Sequence, residues 1–383
     1  MVEVIYDLKL KIRGRPDFAL FFLTLLLVGF GLIMIFSASY PAAFIKHDSP
    51  WHYVMKQGVF VLTGLFVMLI FMCIPFSVWK KASPILLTFS LVMLVLVLIG
   101  GADINGARRW FVLGGFNLQP SEFSKLTVIV YLSAIISRKG ERIRNFRNGL
   151  LPIILVIGTI LLLIMRQPDF GTVLILFFIA VTILWVGDVD LRHMLLLSMA
   201  LVPMFIYLAV SKSYRLERVS AFLNPLDDLQ GSGYQLTQSL YALGNGGLTG
   251  TGIGQGVQKL FYLPEAHTDF IFAVVGEELG FVGTFMLFVV LFLFIWRGFI
   301  TAIRSSDPFG LMVGMGIVMM IFIQFLLNVG SVIGSLPITG VPLPFISYGG
   351  SSLILCLAST GILLSISRDN HRRRQENSRN STK

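Results

Sequence analysis

The chain has 383 residues, 55% of them hydrophobic and 13% charged, where an average soluble protein carries about 25% charge. So much apolar surface excludes an ordinary soluble enzyme, a disordered chain and a coiled coil; two cysteines, Cys73 and Cys356, both within apolar runs, give no disulfide framework. The formal charge of +10 then marks membrane orientation rather than nucleic-acid binding.

About 20 apolar residues cross a bilayer as a helix. Ten runs qualify: 18–39, 53–74, 82–100, 121–137, 150–165, 170–187, 191–210, 269–296, 308–329 and 348–367. They are continuously apolar, without the period-2 alternation of barrel strands. The sequence therefore predicts an all-α polytopic membrane protein, a single domain over 1–383. The first run has 22 residues, longer than the roughly 7–15 of a signal-peptide core, and is expected to be a retained helix. The fourth is the weakest, because Glu122 and Lys125 sit in its first turns. Residues 308–367 contain no charged residue and would run about 90 Å as one helix, so the chain must fold back near Gly330, Pro337, Gly340, Pro342 and Pro344.

With the N-terminus inside, the cytoplasmic segments hold 20 basic residues and the outer segments nine. That bias predicts both termini in the cytoplasm and an extracytoplasmic loop over 211–268. The basic tail, 368–383, contains Arg372-Arg373-Arg374 and reads as an anchor on anionic lipid.

Candidate chemistry gathers on the outer side. The segment Asn105-Gly106-Ala107-Arg108-Arg109-Trp110 suits an anionic lipid headgroup, or equally an interfacial belt with snorkelling arginines. After Gln119-Pro120-Ser121, Glu122 and Lys125 share a helix side and can neutralise each other. Asp169 is a helix cap or a site acid. Seven glycines between Gly244 and Gly256 form neither GxGxxG nor GxxxxGK, leaving a turn or gating segment or a backbone cradle for phosphate. In Pro264-Glu265-Ala266-His267-Thr268-Asp269-Phe270, Thr268 is a potential cap and Asp269 opens the eighth run. Asp269 is either an acid favoured by the helix dipole or a general base raised by desolvation, with Glu265 and His267 beside it. Glu277 and Glu278, two turns further on, need a cavity or partners inside a membrane.

Together, Ser37-Ala38-Ser39, Ala107-Arg108-Arg109-Trp110, Gln119-Pro120-Ser121-Glu122, Pro168-Asp169-Phe170-Gly171-Thr172, Gly244 through Gly254, Pro264 through Phe270 and Pro344-Phe345-Ile346-Ser347-Tyr348-Gly349-Gly350-Ser351-Ser352 resemble the bacterial SEDS family, the FtsW/RodA/SpoVE group, and more its division and sporulation members than its elongation members. The resemblance implies a ten-helix membrane glycosyltransferase that polymerises lipid II beside a class B penicillin-binding protein. It places the family's essential acid on Asp269. Arg108, Arg109, Lys125 and Lys259 become candidates to hold pyrophosphate. Trp110, Gln119, Glu122, Glu265, His267 and Thr268 complete the expected substrate site. No His/Cys cluster suggests a zinc site, and a divalent cation is compatible with pyrophosphate. A partner helix would be met by small residues such as Gly280, Gly283, Gly310, Gly314 and Gly316. The competing readings are a flippase for the same lipid-linked precursor and a non-catalytic scaffold.

Overall fold

The computed structural model describes residues 14–104, 106–114, 116–190, 192–195, 199, 218, 220–225 and 231–381. Nine of the ten expected runs are helices among them: α1 (Phe18–His47), α2 (His52–Cys73), α3 (Ser77–Gly100), α4 (Pro120–Lys139), α5 (Leu151–Arg166), α6 (Phe170–Val186), α8 (Ile271–Ile303), α9 (Pro308–Val332) and α10 (Gly350–Ser381). A further helix, α7 (Ser232–Gly246), lies in the expected outer loop. The run at 191–210 lies outside the described residues except for 192–195 and 199. Seven described helices are long and apolar enough to cross a membrane, which makes this a multi-pass membrane protein.

The all-α expectation needs one correction. Residues 102–118 form a small antiparallel sheet of β1 (Ala102–Ile104), β2 (Ala107–Leu113) and β3 (Phe116–Leu118), in the order β1-β2-β3. Its register pairs Ile104 with Ala107 and Leu113 with Phe116, so each hairpin has a two-residue loop. The sequence there reads Asn-Gly at 105–106 and Gly-Gly at 114–115, dipeptides that such hairpins favour, and the described glycines Gly106 and Gly114 have φ of 73° and 55°.

Helices α9 and α10 are largely enclosed, while α2, α3, α5 and α8 expose apolar side chains outward. Lipid supplies no hydrophobic drive between helices, so close backbone approach matters. A Cβ on Gly64 would stand 2.5 Å from Leu357, and one on Gly361 2.5 Å from the Met68 carbonyl; these contacts seat α2 on α10. A Cβ on Gly314 would meet Ala302 at 2.6 Å, and one on Gly316 would meet Ile129 and Ile183 at 2.9 Å. Gly310 likewise faces Ser305 and Phe76. These three glycines therefore pack α9 inside its own bundle and do not mark a partner contact.

The uncharged stretch turns back where its prolines and glycines indicate. α9 stops at Val332, α10 starts at Gly350, and the chain between is irregular. Asn328, buried in α9, ties this connection down by donating from Nδ2 to the carbonyls of Val341 (2.8 Å) and Asp269 (2.7 Å).

Candidate active site

The expected start of the eighth helix shifts by two residues. α8 begins at Ile271, and Phe270 precedes it without a side-chain cap, so Asp269 is not in the first turn. Pro264 and the left-handed Glu265 (φ 55°) turn the chain just before it. Several bonds then fix the segment. Ser347 donates to the Thr268 carbonyl (2.6 Å), and the Tyr348 amide donates to the His267 carbonyl (2.9 Å). With Asn328 on the Asp269 carbonyl, three successive peptide groups are anchored while the Asp269 side chain stays unbonded among the described residues.

Asp269 is half-buried as a residue, and the protein around its carboxylate raises the pKa from the usual carboxylate range to about 6. Desolvation is the main cause and Glu265 adds to it, while Arg218 and Arg109 oppose the rise and Asp169 supports it. Five charged groups therefore converge: Asp269, Glu265, Asp169, Arg109 and Arg218. A Cβ on Gly340 would lie 3.5 Å from Asp269 Oδ2, so a larger residue there would crowd the acid.

Asp169 has the opposite surroundings. Its carboxylate accepts from the Thr172 amide (3.1 Å) as the cap of α6, and also from Thr172 Oγ1 (2.8 Å), Gln119 Nε2 (3.0 Å) and Ser121 Oγ (3.2 Å). Arg109, projecting from β2, donates through Nε to the Gln167 carbonyl (2.6 Å) and through Nη2 to the Pro168 carbonyl (2.7 Å). The sheet missed in the sequence thus holds the entrance to α6 in place, and Gln119 acts on the same acid.

The other expected residues divide by position. Arg108 is exposed on β2 and Trp110 is half-buried. Thr268 donates to Glu265 Oε2 (2.8 Å). His267 packs at a tilt against Tyr53 (ring centroids 4.7 Å apart) and Tyr348 (5.5 Å), and burial lowers its pKa, against Glu265. Glu122 and Lys125 lie inside the bundle, bonded to each other at 2.7 Å, with Lys125 fully buried. Lys259 is buried as well and donates to Glu278 Oε1 (2.5 Å) and Ser37 Oγ (2.9 Å). Both lysines are neutralised by an adjacent carboxylate, which leaves little of their charge for an outside anion.

The glycine-rich segment is a strap across a broken helix. α8 is interrupted at Gly280 (φ 65°), where the amides of Phe281 and Val282 bond to the carbonyls of Gly247 and Leu248. The amides of Thr251 and Gly252 bond in return to the carbonyls of Glu277 and Glu278. The Glu278 carboxylate takes the Gly254 amide (3.0 Å), and the Glu277 carboxylate takes those of Val257 (2.9 Å) and Gln258 (3.2 Å). Glycine is needed for this approach: a Cβ on Gly246 would lie 1.9 Å from the Gly276 carbonyl, and one on Gly250 2.2 Å from that of Glu278. These amides already have acceptors, so the segment is not an open phosphate cradle.

The sequence reading gave no site role to Arg218, Asn328, Tyr53 or Tyr348, although Tyr348 lies in a segment that carries the family resemblance. Arg218 was legible only as one of four basic residues in the outer loop, and the other three sit within apolar runs or beside glycines, where composition gives no signal.

A family model for cell cycle proteins of the FtsW/RodA/SpoVE type matches residues 18–372. The chain belongs to this family. It is 42% identical over 358 residues to stage V sporulation protein E of Bacillus subtilis, covering 93% of this chain and 98% of that protein. It is 42% identical over 353 residues to a probable peptidoglycan glycosyltransferase FtsW of Trichlorobacter lovleyi, covering 92% and 93%. Among solved structures it resembles one from a peptidoglycan synthase complex that coordinates polymerisation and crosslinking (TM-score 0.76, 30% identity, 93% of this chain and 98% of that one). It also resembles the rod shape determining protein RodA of Thermus thermophilus (TM-score 0.69, 28% identity, the same coverage). The FtsW/RodA/SpoVE fold therefore extends over nearly the whole chain.

Proposed function

We infer that this chain is a peptidoglycan glycosyltransferase that polymerises lipid II, with Asp269 as its general base. The observation that carries the reading is the Asp269 carboxylate, unbonded among the described residues on an anchored backbone, and raised by desolvation and Glu265 to a pKa of about 6 against the opposing charges of Arg218 and Arg109. A base must be ionised at working pH yet retain proton affinity, and a pKa near 6 meets both needs. The acceptor's GlcNAc 4-hydroxyl attacks the anomeric carbon of the growing strand. Asp269 takes the hydroxyl proton as the new C–O bond forms. The bond to pyrophosphate breaks, the leaving oxygen keeps the electron pair, and a single displacement inverts the centre from α to β. Pyrophosphate is already a good leaving group, so no second carboxylic acid is required to protonate it. Cationic groups facing the leaving oxygens assist instead. We assign that task to Arg108, exposed on β2, and to Arg218, whose charge acts on Asp269.

The finer membrane arrangement is ten spans, with both termini in the cytoplasm and Asp269 on the outer side. The 20-to-9 distribution of basic residues supports it. Donor and acceptor each carry a lipid, so the site opens toward the bilayer. The similarity to a peptidoglycan synthase complex supports a class B penicillin-binding protein as partner.

Purified protein supplied with lipid II tests the reading. Glycan strands should form, and more of them when the cognate transpeptidase is added. Failure to polymerise in both preparations, from folded protein, would sink it.

A further inference from the structure

α2 begins beside His267, and its other end opens on a separate cavity of about 250 Å³ at the far end of the bundle. Met72, Cys73 and Phe76 form one wall. Asp307, ahead of α9, closes the floor, and the second half of α10 supplies Arg368, Asp369, Arg372 and Arg373. The cavity has no evident role in chemistry at Asp269.

Among the side chains that line it, three arginines face two aspartates, and Glu376 lies outside the lining. The Asp307 carboxylate is engaged in capping α9, through the Phe309 amide at 2.9 Å. Asp369 is shared by two guanidinium groups, taking Arg372 Nη2 at 2.6 Å and Arg373 Nε at 2.7 Å. Arg368 is buried and donates through Nη1 to the Met72 carbonyl (2.8 Å), which fixes α10 to α2. Arg372 Nε is buried and makes no hydrogen bond among the described residues, with Glu376 3.8 Å away. A buried guanidinium N–H without an acceptor is costly, and an anionic oxygen would relieve it.

The surroundings select the kind of anion. Leu69, Ile70 and Val78, within one helical turn in sequence of the lining residues Met72, Cys73 and Ser77, are exposed apolar side chains on α2 and α3. A ligand with an anionic head and hydrocarbon chains satisfies both features, and basic pockets between membrane helices suit such heads. We propose that this cavity binds the phosphodiester headgroup of an anionic phospholipid, with Arg372 and Arg373 holding the phosphate and the acyl chains lying along α2 and α3. This is a defined pocket, distinct from diffuse attraction of the basic tail to a charged surface, and it does not depend on the reaction at Asp269.

The test uses the full-length protein in neutral detergent, with lipid binding measured by native mass spectrometry and thermal shift. Phosphatidylglycerol should bind at least about tenfold more tightly than phosphatidylcholine of the same chains. Arg372→Gln and Arg373→Gln should each weaken phosphatidylglycerol about fivefold and leave phosphatidylcholine unchanged. Arg374→Gln, an exposed neighbour outside the cavity, should change neither. If Arg372→Gln fails to fold, Arg373→Gln carries the test, because that side chain is already 41% exposed. Equal affinity for the two lipids would overturn the proposal. So would an equal loss in Arg374→Gln, which would indicate diffuse attraction. Displacement of phosphatidylglycerol by millimolar inorganic phosphate would show a site for soluble anions instead.

Discussion

Asp269 and Glu277 are eight positions apart, yet the two regions treat negative charge in opposite ways. At Glu277 and Glu278 both carboxylates are buried and satisfied by strap amides, Lys259 and Ser37. At Asp269 the backbone is anchored and the carboxylate makes no hydrogen bond among the described residues. A satisfied acid joins two segments of chain; an unsatisfied one with raised proton affinity is available for proton transfer. Asp169, which accepts from four donors, belongs with the first kind although it lies near Asp269.

The strongest way to break this contrast is Asp269→Asn. The amide is nearly isosteric, and no described hydrogen bond depends on the carboxylate, so stability should change by no more than about 0.5 kcal/mol. Polymerisation of lipid II should fall by about 10²–10⁴-fold, the usual cost of losing a general base. Activity near wild type would remove Asp269 from the chemistry and shift attention to Glu265.

The strap region should show the reverse pattern. Removing one partner, as in Lys259→Met or Glu278→Gln, leaves a buried group uncompensated, at a cost of about 3–5 kcal/mol. The double variant Lys259→Met/Glu278→Met should recover most of that loss in a thermal unfolding measurement. If both single variants keep wild-type stability, the pair does not hold the strap.

Much of this contrast was legible in the sequence, though unevenly. Continuous apolar runs gave the helices, because a membrane span is long and needs no partner to be recognised. The fold-back between α9 and α10 followed from prolines and glycines in a stretch too long for one bilayer. The sheet at 102–118 is not among the expected elements although Asn105-Gly106 and Gly114-Gly115 are hairpin signals, because strands of three residues are too short to show an alternating pattern. Glu277 and Glu278 visibly needed partners, but the partners lie 19 to 241 residues away in sequence, and nothing local names them. For the same reason Lys125 and Lys259 could be read as ligands for pyrophosphate: a lysine's charge is visible in sequence, and its neutralisation by a buried carboxylate is not. Asp269 stood out through the family resemblance and its place ahead of an apolar run. Its freedom from hydrogen bonds became visible only with the surrounding loops in place.

The smallest expected effect concerns pH and sharpens the distinction between the two regions. The base must be ionised, and Asp269 has a pKa of about 6, so the polymerisation rate should be level above that value and fall about tenfold per unit below it. Arg218 favours the charged form of Asp269 and holds the pKa below what desolvation alone would give. Arg218→Gln removes that opposition, so the acid limb of the pH–rate profile should move to higher pH. Near pH 6 the variant should lose more activity than at pH 8, where Asp269 is ionised in both proteins. An arginine acting only on the leaving pyrophosphate would lower the rate by the same factor at every pH. An unshifted acid limb in Arg218→Gln would therefore assign Arg218 to the leaving group alone, whereas a shifted limb that persists at saturating lipid II would place its charge on the base.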